Sequence, residues 1–464
     1  MHKFNWLNLK LVVLFLIAFS CKKEDPFVNT AASYNSNGTP KRKVSGDVRD
    51  SVYYYAETAY LWYNNLPTAA KFLPLNFSGP EAVIEAVRGY SEKSATGQNR
   101  DIWSFVMDKT EWNNVASGNS KNFGAYYRFA ANGDFYIRQV FSNSDMGRQG
   151  VKRGWRVISI GGLTPQNNET FINSFLAALN QNTIEIKFEL PDKSQKTLNL
   201  TQTDYITDTI QSAKIFDEGA KKIGYFCFTD FLGDDTPQQM ENLFADFKKK
   251  GVNELVIDLR YNGGGYVSLA TQLINHIAPS SAAGKVMFTY QYNDKLKSIN
   301  SSTKIEPSTN LGLSKIVVIT TKNSASASEL LINSLKPHID VKIVGSASHG
   351  KPVGFPVIPL AKYVVAPVAF KTVNSAGQAD YYEGFKPDYP EADDLTKNFG
   401  DPNELCLKVA LEYLKTGKVI TNSTKNARIL ASNKMEASNI KLPKTFEGMY
   451  VADARVNEAI KKLK

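Results

Sequence analysis

The spacing of apolar residues changes several times along the chain, and each change predicts a different kind of structure. From Val48, the apolar positions Val48, Val52, Tyr55, Ala59 and Trp62 recur at steps of four and three, the period of an amphipathic helix. Residues 47–112 are read on this basis as an N-terminal helical domain. Residues 113–204 carry short alternating runs punctuated by Gly and Asn, such as Phe135–Phe141, and predict a β-rich domain. From 205 to 420 the pattern becomes α/β. Thr236 and Pro237 supply an N-cap and a first-turn proline, Met240, Leu243, Phe244 and Phe247 line one helical face, and Gly251 ends it. Apolar strands at Leu255–Leu259, Ile316–Thr320 and Val341–Val344 then alternate with helices at Val267–Ile277 and Ser328–Leu335. This β-α-β-α-β run predicts parallel strands with sites at their carboxyl ends. Residues 421–464 are polar with weak periodicity and read as a loosely ordered tail.

The first twenty residues carry Lys3 and Lys10 and an unbroken apolar run, Leu11–Phe19. Nine residues are too few to cross a bilayer but suit the apolar core of a signal peptide. Ser20-Cys21 follows, which resembles a bacterial lipoprotein signal, so Cys21 is the expected lipidated residue. Residues 21–46, rich in Ser, Asn, Lys and Gly, would be the tether. On this reading the protein sits in the cell envelope, anchored to the outer membrane, with exposure at the cell surface as the further expectation.

Charge changes the picture little. The net charge of +10 is scattered, and the longest basic run, Lys248–Lys250, ends a helix where cations suit the dipole. No nucleic-acid partner is expected. Beyond Cys21 the cysteines are Cys227, within a strand-like run and expected to be buried, and Cys406; two thiols make no disulfide framework. The four histidines do not cluster in sequence and no Cys/His spacing suggests zinc, so no metal or cofactor is expected.

Candidate chemistry lies at two strand–helix turns. Glu254–Leu259 runs through Asp258-Leu-Arg-Tyr-Asn into Gly263-Gly264-Gly265, and Lys315–Thr320 runs into Ser324-Ala-Ser-Ala-Ser-Glu329. A strand that ends in glycines and turns into a helix aims backbone N–H groups at one spot, where they can hold an anion. A serine on the neighbouring turn would lie beside it. The expected oxyanion donors are the N–H of Ala327 and that of Gly264 or Gly265. Ser326 also heads a capping box closed by Glu329, and on the residues alone Ser324 or Ser328 could equally be the reactive one. Serine needs a base. Lys351 can serve if neutral, and His349 is the rival base. Asp258 and Arg260 share a strand face and could pair structurally.

Together, Asp258–Gly265, Ser324–Glu329, Gly350-Lys351 and Tyr382–Asp388 resemble the S41 family, the C-terminal processing peptidases. Gly150–Gly162 resembles a PDZ-domain stretch, and Phe123, Gly124, Ala125 and Tyr126 stand where such domains hold a peptide's terminal carboxylate. The resemblance implies an α/β multidomain protein with an N-terminal helical domain, a PDZ-like domain and a ClpP- or crotonase-like catalytic domain. It implies a Ser326–Lys351 dyad, 25 residues apart as in that family, acting on polypeptides. One position departs from it: Phe355 stands where the family often has a glutamine that orients the lysine. A peptide-binding lipoprotein that cuts nothing is the alternative class.

Overall fold

The computed structural model describes residues 44–419, 448–451, 455, 458 and 459. Cys21 and the signal segment lie outside them.

The strands predicted at the two turns form as expected and lie side by side. One six-stranded sheet runs in the order Tyr389–Pro390, Asp340–Gly345, Lys315–Thr320, Glu254–Asp258, Lys221–Phe228, Ile210–Glu218. Its first four pairings are parallel, with Val256 beside Val317 and Val318 beside Ile343. Only Ile210–Glu218 pairs antiparallel. Because both faces are covered, its strands read as continuous apolar runs. Leu255 and Ile257 face helices Thr236–Lys249, Val267–Ile277 and Ala327–Leu335 in one core, whereas Val256, Val317 and Cys227 face helix Leu405–Thr416 in another. Cys227 and Cys406 are free and buried there. Helix Thr236–Lys249 has Asp235, not Thr236, at its N-cap position.

The predicted helical segment does not stand alone. Helices Val48–Ala59 and Pro80–Arg88 share the larger core with the α/β unit. Phe105–Asp108 is a strand, paired antiparallel with Tyr363–Ala366. Amphipathic periodicity identifies the buried face of a helix but not what covers it, which is why this segment looked separable.

The β-rich domain is a five-stranded antiparallel sheet in the order Ala125–Phe129, Phe135–Val140, Arg156–Ile160, Thr183–Glu189, Gln195–Thr201. Helix Glu169–Ala178 packs on it through Phe171 and Phe175. Asn119–Asn122 and Thr203–Ile206 pair as a two-stranded stalk where the chain enters and leaves this unit. A buried ionic network ties it to the α/β core. Arg260 bonds Asp258, Asp393 and Glu404, while Arg153 and Arg128 reach across to Asp393. Burial alone would push the Asp393 carboxyl up, but Arg153, Arg260 and Arg128 hold it well below the usual range. Asp258 and Arg260 thus pair as the sequence allowed.

Another six-stranded sheet contains a surprise. Its order is Gly264–Tyr266, Gly448–Val451, Val353–Pro356, Phe370–Asn374, Val286–Tyr292, Ser302–Lys304. Residues 448–451, expected to be loose tail, form a strand between the segment after the glycine turn and the segment after Lys351. The expectation failed because a four-residue strand is too short to show a period, and its order comes from its neighbours. Among the described residues no helix is long and apolar enough to cross a membrane.

Candidate active site

Ser326 sits at the junction of loop and helix with φ 60° and ψ −107°, a backbone region that a residue with a Cβ rarely adopts. Strain of this kind persists only where the surroundings enforce it. Here they do. The Ala325 N–H donates to the Asn262 carbonyl at 3.0 Å, the Ser324 hydroxyl to Leu259 O at 2.7 Å, and the Ser328 hydroxyl to Asn262 O at 3.0 Å. Two of the three candidate serines therefore stitch this turn to the glycine turn on the neighbouring strand. Ser326 is fully buried and its Oγ has no hydrogen-bond partner among the described residues. The geometry is that of a capping box, with Glu329 closing on the Ser326 N–H at 2.9 Å, but the Ser326 hydroxyl makes no cap hydrogen bond.

Glu329 does more than cap. Its Oε2 accepts from the N–H of Ser326 at 2.9 Å and from the N–H of Lys351 at 2.8 Å. Its Oε1 accepts from the Gly350 N–H at 2.7 Å and the Ser348 hydroxyl at 2.6 Å. One buried carboxylate thus joins the serine turn to the lysine loop. Burial pushes its pKa up, and the hydrogen bonds from Ser348, Lys351, Ser326 and Gly350 oppose that shift without cancelling it. From sequence Glu329 was legible only as a capping residue. The available signal was a lone carboxylate inside a helix whose other residues are all apolar or small apart from Asn333.

Lys351 is fully buried, with Nζ 4.4 Å from the centre of the Phe355 ring and 5.2 Å from that of Trp103. Among the described residues no hydrogen bond joins its amine to Ser326 Oγ. Its loop approaches the 382–388 segment closely. Gly350 has φ 97°, and a Cβ there would lie 2.2 Å from Tyr382 O, so only glycine fits. Phe385 N donates to Ser348 Oγ at 2.7 Å, and Asp388 accepts from Ile343 N at 2.8 Å. His349 turns its Nδ1 toward the Lys322 carbonyl, 3.2 Å away, and no hydrogen bond links it to Ser326.

Of the expected oxyanion donors, Gly264 is corrected. Its N–H donates to Asn262 Oδ1 at 2.9 Å and is unavailable. The side chain two residues back captures it in a local turn that a reading of glycines alone does not show. Gly265 differs. Phe231 N donates to Gly264 O at 2.9 Å, and Tyr266 N donates to Phe231 O at 2.7 Å. Backbone groups alternate sides along a strand, so the N–H of Gly265 points the other way, toward strand Gly448–Val451. With φ 143°, and Phe231 O only 2.1 Å from where a Cβ would sit, position 265 must be glycine. Ala327 is the first residue of its helix, so its N–H has no intrahelical partner.

In the β-rich unit, Phe123 is buried in the core, and the Gly124 N–H already donates to Asn122 Oδ1 at 2.7 Å. Gly124 therefore cannot give that N–H to a carboxylate. Ala125 and Tyr126 open the edge strand of the sheet, and Tyr126 is 37% exposed. Among the described residues no group of His, Cys, Asp and Glu could hold a metal ion.

Residues 222–390 match the family model described as peptidase family S41. The chain is 24% identical over 269 residues to the carboxy-terminal processing protease CtpB of Bacillus subtilis (strain 168), covering 56% of this chain and 53% of that protein. It is 23% identical over 256 residues to the carboxy-terminal processing protease CtpA of the same organism, covering 54% of this chain and 52% of that one. The chain thus spans about half the length of the curated relatives it matches. A solved structure from Bacteroides fragilis NCTC 9343, provisionally named an S41 protease, is similar with a TM-score of 0.66 at 23% identity, covering 80% of this chain and 98% of that chain. That likeness shows a shared mixed α/β, multidomain fold. Residues 222–390, which match the model of peptidase family S41, carry the glycine turn, the strained serine and the buried lysine.

Proposed function

We propose that the protein is a serine endopeptidase in which Ser326 attacks a peptide carbonyl and Lys351 takes its proton. The observation that carries this reading is the Ser326 side chain. It is held in a strained backbone, fully buried and without a hydrogen-bond partner among the described residues, while Ser324 and Ser328 on either side are spent on backbone carbonyls. A hydroxyl kept out of structural hydrogen bonding is available to a base. Lys351 is carried to it by Glu329, which grips both residues through their N–H groups. The N–H groups of Ala327 and Gly265 would stabilise the developing oxyanion. The amine can act only when neutral. Desolvation among Phe355 and Trp103 favours the neutral form, and ring faces favour the charged one. A cation–π contact is worth about 0.5–2 kcal/mol. Burial is the part of this environment that lowers a lysine's pKa, and it is the part a base would use.

The substrate reading follows from the same site together with the β-rich unit, whose edge strand Ala125–Phe129 can accept an extended peptide with its free carboxyl end near Ala125 and Tyr126. Attachment to the outer membrane through Cys21 belongs to the same proposal. The Phe355 ring beside Lys351 favours a second reading, a peptide-binding protein that cuts slowly or not at all, because a ring cannot accept a hydrogen bond that would aim the amine. The test is digestion of an unfolded polypeptide by wild type, Ser326→Ala and Lys351→Arg. Cleavage by wild type alone supports the dyad. Cleavage by Lys351→Arg at the wild-type rate would sink it and make His349 the base to examine, since guanidinium stays charged.

A further inference from the structure

We propose that residues 448–451 are a built-in occupant of the slot that takes the substrate's extended backbone, and that this slot selects an aromatic side chain at the position of Tyr450. The substrate part rests on the peptidase reading above; the occupancy does not.

The slot has two walls. One is Gly264–Tyr266, which leads out of the glycine turn, and the other is Val353–Pro356, which leads away from Lys351. The tail strand pairs parallel to both, Gly264 to Tyr266 beside Gly448 to Tyr450, and Phe355 and Pro356 beside Tyr450 and Val451. Strands flanking a third lie about 10 Å apart, the width of one extended backbone. The two walls belong to the two halves of the candidate site. What joins them across the gap is a segment about a hundred residues further along the chain.

The tail strand also lies where a substrate would be needed. The N–H of Gly265, the remaining glycine donor for an oxyanion, points at it. Tyr450 is buried among Trp112, Phe355, Tyr266 and Phe105, with ring centres 4.8, 5.1, 6.1 and 6.5 Å away. Phe355 is the ring that covers Lys351 Nζ. The occupant's aromatic side chain is therefore one ring removed from the candidate base. An extended polypeptide entering this slot would run parallel to Gly264–Tyr266, displace the tail and place an aromatic residue in the same pocket. Strand addition supplies sequence-independent backbone bonds, and the pocket supplies the preference.

The test uses the full chain carrying Ser326→Ala, so that bound peptide is not cut. The probe is a fluorescein-labelled synthetic peptide of residues 445–454, with a second version in which Tyr450 is alanine. A tethered occupant competes at an effective concentration in the millimolar range, so the unaltered chain should bind the probe weakly. Tyr450→Ala or Met449→Pro in the chain, each of which weakens the occupant, should tighten probe binding at least about tenfold by removing that competition. The alanine version of the probe should lose the gain. Should the Tyr450→Ala chain fail to fold, Met449→Pro, which keeps the ring, gives the same comparison. Equal binding of the probe to the parent and variant chains overturns the proposal. With Ser326 restored, Tyr450→Ala should also cleave an unfolded polypeptide faster. Tighter binding without any cleavage would keep the occupied slot and remove the peptidase reading. Cleavage with no change in either binding or rate would do the reverse.

Discussion

Replacing Glu329 by glutamine tests the whole site with one atom. The carboxylate accepts four hydrogen bonds, two at each oxygen, and all four partners are donors as they stand. Glutamine has the same shape but only one acceptor oxygen, and its NH2 must face two of those donors. The better orientation keeps the oxygen on Ser326 N and Lys351 N and turns the NH2 toward Gly350 and Ser348, whose hydroxyl can rotate. The Gly350 N–H is then left buried and unpaired, at about 1–3 kcal/mol, and the two remaining bonds lose their charge assistance, at about 1 kcal/mol each. These losses come to about 3–5 kcal/mol and are partly offset because glutamine buries no charge, so against the 5–15 kcal/mol stability of an ordinary domain the chain should still fold. Activity should fall at least about a hundredfold, because Lys351 moves with the loop that Glu329 grips and small displacements of reacting groups cost that much. Thermal unfolding and the rate of peptide cleavage against pH are the assays. Burial raises the Glu329 pKa, so the folded state holds this proton more tightly than the unfolded chain does. Its contribution to stability is therefore full below the ordinary glutamate range and is lost as pH rises toward the folded value. Activity should move the other way, falling as acid protonates the staple, and Glu329→Gln should lack that acid limb. A Glu329→Gln enzyme that cleaves at the wild-type rate across pH would refute the reasoning.

Four further outcomes are expected. Ser326→Gly should abolish cleavage yet unfold at a higher temperature, since it removes a buried hydroxyl without a partner and relieves a positive φ, together worth about 1–3 kcal/mol. Phe355→Gln should raise the cleavage rate, because its amide oxygen can accept a hydrogen bond that orients the Lys351 amine; an unchanged or lower rate would refute this. Arg260→Met should destabilise the chain by about 3–5 kcal/mol, because Asp258, Asp393 and Glu404 lose their shared cation; a shift in urea midpoint of less than a quarter of that would contradict the network's role. Burial pushes Asp230 up to about 7, against opposing effects of Thr229 and Arg138, so its contribution to stability is full near pH 4 and lost as pH rises through 7. Asp230→Asn should flatten that part of the pH–stability curve, and an identical slope in both proteins would exclude Asp230 as the source.

Local pattern was enough to determine the parallel β-α-β-α-β core, the two turns at its carboxyl ends, the β-rich unit and the burial of Cys227. Each depends on periods, caps and glycines that act within a dozen residues. It also brought Ser326, Ala327, Gly265 and Lys351 to one end of the sheet, because right-handed crossovers leave few alternatives. Which serine is free of structural bonds could not be read locally. Ser324 and Ser328 are excluded by carbonyls of Leu259 and Asn262, more than sixty residues away. The loss of the Gly264 N–H to Asn262 depended on one side-chain rotamer. Glu329 became the link between Ser326 and Lys351 only when the 345–351 loop folded over it. The tail strand at Gly448–Val451 has no pattern of its own. It exists because two strands from distant parts of the chain leave a gap one backbone wide, and buried backbone groups must find partners.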